Sequence, residues 1–238
     1  MKIYLTLLLV VLFGNKSISQ TITLPIVNMK SHKTLTIEKI ESNGKQTIVF
    51  LSIENQKTEG EAWFCADDSI YIKNSQGDEL YYMKKSEGIP TCPDSYKFKK
   101  LGEVLRFSLF FTQIAANIKE IDIIENCNDN CFYFKGVILD PDQNAEIKLF
   151  EKGVELYSRK KSDEALKCFI DLEAKIKDKK SSIYCYCLYI IPLIYFEKGD
   201  KETAKSEYLK LLKCDAADKS YFIDKLTKEE FFKSLKID

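Results

Sequence analysis

The stretch that decides the fold is residues 149–212, LFEKGVELYSRKKSDEALKCFIDLEAKIKDKKSSIYCYCLYIIPLIYFEKGDKETAKSEYLKLL. In its first half, small residues recur among large apolar ones at spacings that suit two antiparallel helices in close contact. These positions are Leu149, Gly153, Leu156, Ala165, Phe169 and Leu172. A side chain larger than alanine at position 165 would push the two helices apart, because closely packed helices leave little free volume between them. This half therefore predicts a helical hairpin.

The second half of the stretch repeats the pattern. Its matching positions are Leu188, Tyr195, Gly199, Ala204, Tyr208 and Leu211, while Pro192 stands where the first unit has its small glycine. Both units resemble the tetratricopeptide repeat, a helix–turn–helix of about 34 residues. The resemblance implies a helical stack with a groove for a peptide or a partner helix. Two ordinary αα-hairpins without this kinship are the alternative.

Residues 1–20 are predicted to be a signal peptide. Met1 and Lys2 precede an apolar run over 3–13, and small polar residues follow at 17–20, which is the order of a charged region, an apolar region and a cleavage site. The apolar run is shorter than the about 20 residues that cross a bilayer as a helix. We therefore expect export to the periplasm or the extracellular space, cleavage after Ser19 or Gln20, and no permanent membrane anchor.

The composition, 45% hydrophobic and 30% charged, is that of a folded soluble protein. The leader carries two lysines and no acidic residue, so the mature chain has a net charge of roughly −2. Arg106 and Arg159 are its only arginines, whereas surfaces that bind phosphate groups favour the planar guanidinium. Nucleic acid is therefore not an expected partner.

Residues 21–140 are predicted to form an antiparallel β-sandwich domain. Seven to nine short segments of alternating or apolar residues follow one another, separated by turn residues such as Asn43-Gly44. No helical crossover intervenes, which excludes a parallel sheet. The last segments, at 107–111, 121–125 and 132–139, resemble the immunoglobulin-like modules of secreted bacterial proteins. Such modules accompany many activities, so this resemblance implies a fold and no function.

All eight cysteines follow the leader, and an even number in an exported chain predicts disulfides. Cys65 and Cys92 are expected at the same edge of the sheet. Cys127 and Cys131 flank a turn that can bring them together. The chain has one histidine, His32, and no C-x-x-C pair, so neither a metal ion nor a cofactor is expected.

Two further cysteines are predicted to meet in the helical region. Cys185 and Cys214 lie about equally far before and after the turn near Gly199. Antiparallel helices with the same rise per residue bring equal depths together. We therefore predict that Cys214 pairs with Cys185, with Cys187 as the substitute.

The helical domain is predicted to span 145–238. Asp140-Pro141 is expected to end the last strand, and Asp142 or Asn144 to cap a helix that starts near Ala145. The acidic residues from 140 to 151 also match the ligand positions of a calcium loop, although Ala145 stands where that loop needs glycine. After residue 216, two short amphipathic helices are expected to cap the helical stack, the second opened by a capping box of Thr227 and Glu230.

The concave side of such a stack is predicted to be rich in aromatic residues: Phe150, Tyr157, Tyr186, Tyr189 and Phe196. Either the sandwich or the tail at 221–235 covers this side, or it is an open apolar patch for a partner. No spacing pairs a nucleophile with a base, so no enzyme is expected.

The sequence thus predicts a protein-binding or assembly module of the bacterial envelope, with a protein or peptide as partner. A structural accessory subunit of an envelope complex is the alternative. A hydrolase or an accessory protein in carbohydrate processing is a third.

Overall fold

The computed structural model describes residues 20–59, 61–127 and 130–235. The chain divides into two compact units, the first ending at Leu139 and the second beginning at Asp140. We call them the sheet unit and the helical unit. Strands precede helices, which confirms the α+β class. The predicted signal peptide, apart from Gln20, lies outside the described residues.

The described part of the sheet unit contains eleven strands. They are β1 (Gln20–Thr23), β2 (Val27–Lys30), β3 (Leu35–Ser42), β4 (Gln46–Glu54), β5 (Trp63–Phe64), β6 (Tyr71–Asn74), β7 (Leu80–Glu87), β8 (Tyr96–Lys97), β9 (Val104–Thr112), β10 (Glu120–Ile124) and β11 (Tyr133–Ile138). Nine of them form one sheet in the order β1-β3-β4-β9-β7-β6-β10-β11-β2, and β5 pairs separately with β8.

The nine-stranded sheet is curled. β1 and β2 lie at opposite ends of the strand order, yet only Leu24, Pro25 and Ile26 separate them in the chain. The four Cα–Cα steps from Thr23 to Val27 span at most about 14 Å, so the two edges of the sheet come close to each other at this point. Every pairing between named strands in it is antiparallel. Along β7, residues up to Tyr82 pair with β6 and residues from Met83 onward pair with β9.

The core of the sheet unit follows from residue alternation in its long strands. Val49 and Leu51 of β4 and Leu109 and Phe111 of β9 are all buried, because alternate side chains of a strand point to the same face. In β3, however, Ile37 and Ile40 are both buried although three positions separate them. A bulge between Ile37 and Lys39 shifts the register against β4, so the apolar face continues across the irregularity.

A buried carboxylate closes one end of the sheet unit. Glu125 is 7% exposed, and its two oxygens accept hydrogen bonds from the backbone N–H groups of Asp67 and Phe132, each at 2.9 Å. Burial raises the pKa of Glu125 above its usual range, and the two backbone donors oppose that shift. The side chain therefore links the backbone at Asp67, before β6, to the backbone at Phe132, directly before β11.

The described part of the helical unit contains six helices: α1 (Pro141–Ser158), α2 (Ser162–Lys175), α3 (Ser182–Glu197), α4 (Lys201–Lys213), α5 (Lys219–Leu226) and α6 (Glu230–Ser234). The expected start near Ala145 was wrong by one turn. The Asp140 side chain accepts from the N–H groups of Asp142 and Gln143, and Pro141 suits the first helical turn because it has no N–H to satisfy there.

Close approach of α1 and α2 has a specific cause. A Cβ atom added to Gly153 would lie 2.8 Å from Cε1 of Phe169, so the Phe169 ring occupies the space that any larger residue would need. Ala165 and Ala204, the small residues of α2 and α4, are fully buried. α2 packs against α3, and α3 packs against α4 and α5.

The predicted capping box before α6 is absent. Thr227 donates its hydroxyl back to the carbonyls of Ile223 and Asp224, so it belongs to the end of α5. Glu229 occupies the N-cap of α6 without a side-chain capping bond. The apolar residues Phe231 and Phe232 nevertheless place this short helix against the helical unit.

Candidate functional site

The five aromatic residues expected on one side of the helical unit lie on α1 and α3, and we call them the aromatic face. Each of Phe150, Tyr157, Tyr186, Tyr189 and Phe196 is half-buried. Phe150 and Tyr186 meet edge to face with ring centroids 5.1 Å apart. Tyr189 continues the series at 5.6 Å from Tyr186. Such edge-to-face geometry is the favoured arrangement of aromatic pairs.

Tyr157 joins the aromatic face by a hydrogen bond. Its hydroxyl donates to Oε1 of Glu197 at 2.7 Å and so links the end of α1 to the end of α3. Sequence reasoning missed Glu197, because only its position next to Phe196 could have drawn attention to it. Burial is the main reason that the pKa of Tyr157 lies far above its usual value, and the hydrogen bond to Glu197 raises it further. The phenol is therefore neutral and a donor at physiological pH.

The tail covers the α3 part of the aromatic face. Phe222 of α5 lies 5.9 Å from Tyr186 and 5.3 Å from Tyr189, measured between ring centroids. Phe231 of α6 stacks on Phe196. The sequence left open whether the sandwich or the tail covers the aromatic face, or whether it stays open. These contacts show that the tail covers its α3 part.

The aromatic face is not fully enclosed by these contacts. Phe150 and Tyr157 on α1 and Leu193 on α3 keep part of their surface accessible. On α5, Tyr221 is 57% exposed and has the Lys225 ammonium 5.3 Å from its ring centre. Burial raises the pKa of Tyr186 and Tyr189 as well, so the face presents neutral rings and phenol hydroxyls.

The predicted disulfides are present in the sheet unit, whereas the one predicted in the helical unit is not. Cys65 is bonded to Cys92, and Cys127 to Cys131, as the strand order and the turn predicted. Cys185 and Cys214 are free, buried thiols, so the disulfide predicted between them is not formed. The Cys214 thiol nonetheless lies near enough to raise the pKa of Cys185, in addition to the effect of burial, so equal helical depth brought the two side chains together without a covalent bond.

The residues from Asp140 onward, which match calcium-loop positions in the sequence, lie at the start of α1. Asp140 caps α1, and Asp142 pairs with Lys177 at 2.6 Å. Among the described residues, no three histidine, cysteine or acidic side chains are grouped to hold a metal ion. Within the same residues, no helix has the length and apolar character needed to cross a membrane.

Comparison with known proteins adds no relative: no protein-family model, curated protein or solved structure matches the chain.

Proposed function

We propose that this chain is an exported binding module without catalytic activity, and that its helical unit holds an apolar peptide segment of an envelope protein. The observation that carries the proposal is the apolar surface that the tail contacts leave partly accessible: Phe150 and Tyr157 of α1 with Leu193 of α3, where the Phe150 ring is held edge to face by Tyr186. Aromatic residues, tyrosine among them, are enriched at protein interfaces because they combine large apolar area with a polar tip.

The proposal includes the finer architecture expected from the sequence. Tetratricopeptide-like packing is supported by the close approach of Gly153 to Phe169 and by the buried alanines of α2 and α4. An immunoglobulin-like sandwich is supported by β7, which divides its pairing between β6 and β9. Export is supported by the two disulfides, which persist in oxidising compartments.

The covering tail fits this proposal. Two hairpins leave the last helix pair of a stack with an unpartnered apolar side, which a terminal element must cover. Phe222 and Phe232 are buried in that role. Phe150 and Tyr157 of the aromatic face, together with the partly accessible Leu193 of α3, then stay available for a partner segment.

Site-directed photocrosslinking in native cells tests the proposal. A photoreactive phenylalanine analogue at position 150 or 193 should crosslink one partner protein. Matched controls are positions 170 and 209, because Ile170 on α2 and Leu209 on α4 are both 42% exposed and lie outside the aromatic face. Crosslinking of equal yield at the control positions would count against a specific face.

A second measurement separates binding from folding. Phe150→Ser and Leu193→Ser should weaken capture of the crosslinked partner at least about tenfold, since central apolar contacts carry most interface energy. Ile170→Ser and Leu209→Ser should leave capture unchanged. Circular dichroism must show that all four variants fold. Unchanged capture by both face variants would refute the assignment of the partner to this surface.

A further inference from the structure

The sheet unit contains a second candidate site, separate from the aromatic face. A cleft of about 470 Å³ opens beside Trp63, within the about 300–1,000 Å³ range of small-molecule sites. Its walls come from the residues before β3, from the chain between β4 and β5, and from β5 itself. We call it the Trp63 cleft.

Trp63 is exposed on a firmly held strand. Its side chain is 53% exposed, while that of the next residue, Phe64, is buried in the sheet core. β5 pairs with β8 through Trp63 and Lys97, and the Cys65–Cys92 disulfide follows directly. The core does not require the indole, because Phe64 supplies the inward-facing side chain at this point. A large apolar ring held in place at a cleft is preorganised for a ligand.

Of the three described acidic or basic side chains in the cleft lining, Lys57 and Glu61 have polar partners, and Glu54 is exposed to solvent. Glu61 forms an ion pair with Lys97 at 3.3 Å, and the Lys57 ammonium donates to the Glu61 backbone carbonyl at 2.9 Å. His32 lines the same cleft, and burial lowers its pKa, so the imidazole is neutral at pH 7. The cleft therefore offers no concentrated charge of either sign to bind an ion.

Neutral hydrogen-bonding groups complete the lining. Thr34, Gln56 and Asn130 contribute a hydroxyl and two amides, which can donate and accept. Gln56 and Asn130 are exposed. A ligand that matches this set has an apolar ring face for the indole and several uncharged hydroxyl groups at its edge. A pyranose sugar has both.

We propose that the Trp63 cleft binds a neutral saccharide, with one pyranose ring against the Trp63 indole and its hydroxyls hydrogen-bonded to Gln56, Asn130 and Thr34. This site lies in the sheet unit and does not depend on the protein-binding function proposed for the helical unit.

Trp63 is the only tryptophan of the chain, so its fluorescence reports on this cleft alone. The full mature chain is titrated with neutral di- to tetrasaccharides of glucose, galactose, mannose and N-acetylglucosamine. At least one should change the emission saturably and protect the indole from acrylamide quenching at least about twofold, at an affinity stronger than about 10 mM. Failure of the whole panel would overturn the proposal.

Variants measured by calorimetry test the geometry. Trp63→Ala should weaken binding at least tenfold and Gln56→Ala should weaken it several-fold. Tyr82→Ala should have no effect, because Tyr82 is an exposed aromatic residue of the same unit, 61% accessible against 53% for Trp63, and lies outside the cleft. Binding that survives Trp63→Ala would overturn the proposal. Indole protection by tetramethylammonium, with none by any saccharide, would overturn it in favour of a cation site.

Discussion

Phe196 of α3 and Phe231 of α6 stack nearly parallel, with ring centroids 4.9 Å apart and an interplanar angle of 11°. Phe232, the next residue, meets the same Phe196 ring at 63° and 5.4 Å. One ring of the aromatic face thus contacts both aromatic residues of the last helix. A helix as short as α6 is marginal by itself in water, so these contacts stabilise the tail.

Truncating the tail aromatics should give a ranked loss of stability. Phe232→Ala, at a position only 1% exposed, should cost about 3–5 kcal/mol. Phe231→Ala should cost about 1–3 kcal/mol, since its ring is half-buried and stacked. Tyr221→Ala, at a position 57% exposed, should cost under about 0.5 kcal/mol. Urea unfolding followed by circular dichroism measures this, and a loss for Tyr221→Ala as large as that for Phe231→Ala would contradict the covering role.

Gly153→Ala should destabilise the helical unit although alanine favours helix by about 1 kcal/mol over glycine. The added Cβ would lie 2.8 Å from the buried Phe169 ring, and such overpacking costs about 1–3 kcal/mol. The matched control is the same substitution in a Phe169→Leu background, where the ring is gone and Gly153→Ala should become stabilising. If the sign of the effect is the same in both backgrounds, the close approach is not the cause.

Stability should depend on pH through Glu125. Its folded-state pKa is raised above 4.5 by burial, so the folded state binds more protons than the unfolded chain between the two values. Stability therefore falls as pH rises through that window. Glu125→Gln removes this contribution, so the wild type should lose stability relative to the variant on going from below pH 4.5 to neutral pH. A carboxyl titration by NMR that placed Glu125 at or below 4.5 would contradict this expectation.

Four cysteines should be protected thiols. Cys168, Cys185, Cys187 and Cys214 are free and buried, and burial raises the pKa of Cys185 and of Cys187 to about 12, whereas the thiolate is the reactive form. A thiol reagent should therefore detect none in the native protein and four after unfolding without reductant. Detection of two, with Cys185 and Cys214 peptides linked, would restore the disulfide that the sequence predicted.

Local sequence patterns determined much of this protein. The segment predicted at 107–111 lies within β9, along which burial alternates, because period-two alternation is a local property of the sequence. The small residues Gly153 and Ala165 predicted a tight hairpin, since steric exclusion acts between helices that are neighbours in the chain. The positions of Cys65 and Cys92 in the strand order predicted their disulfide.

Contacts between distant residues decided what the sequence could not. The bulge in β3 depends on its pairing with β4. Tyr186 and Tyr189 are covered because Phe222, from a helix further along the chain, packs on their rings. The local sequence around Trp63 indicates only a short strand. The cleft beside it forms because segments up to 98 residues apart in the chain, from His32 to Asn130, meet there. Periodicity specifies which face of an element is apolar, whereas the partner that covers or leaves open that face is set by packing across the whole unit.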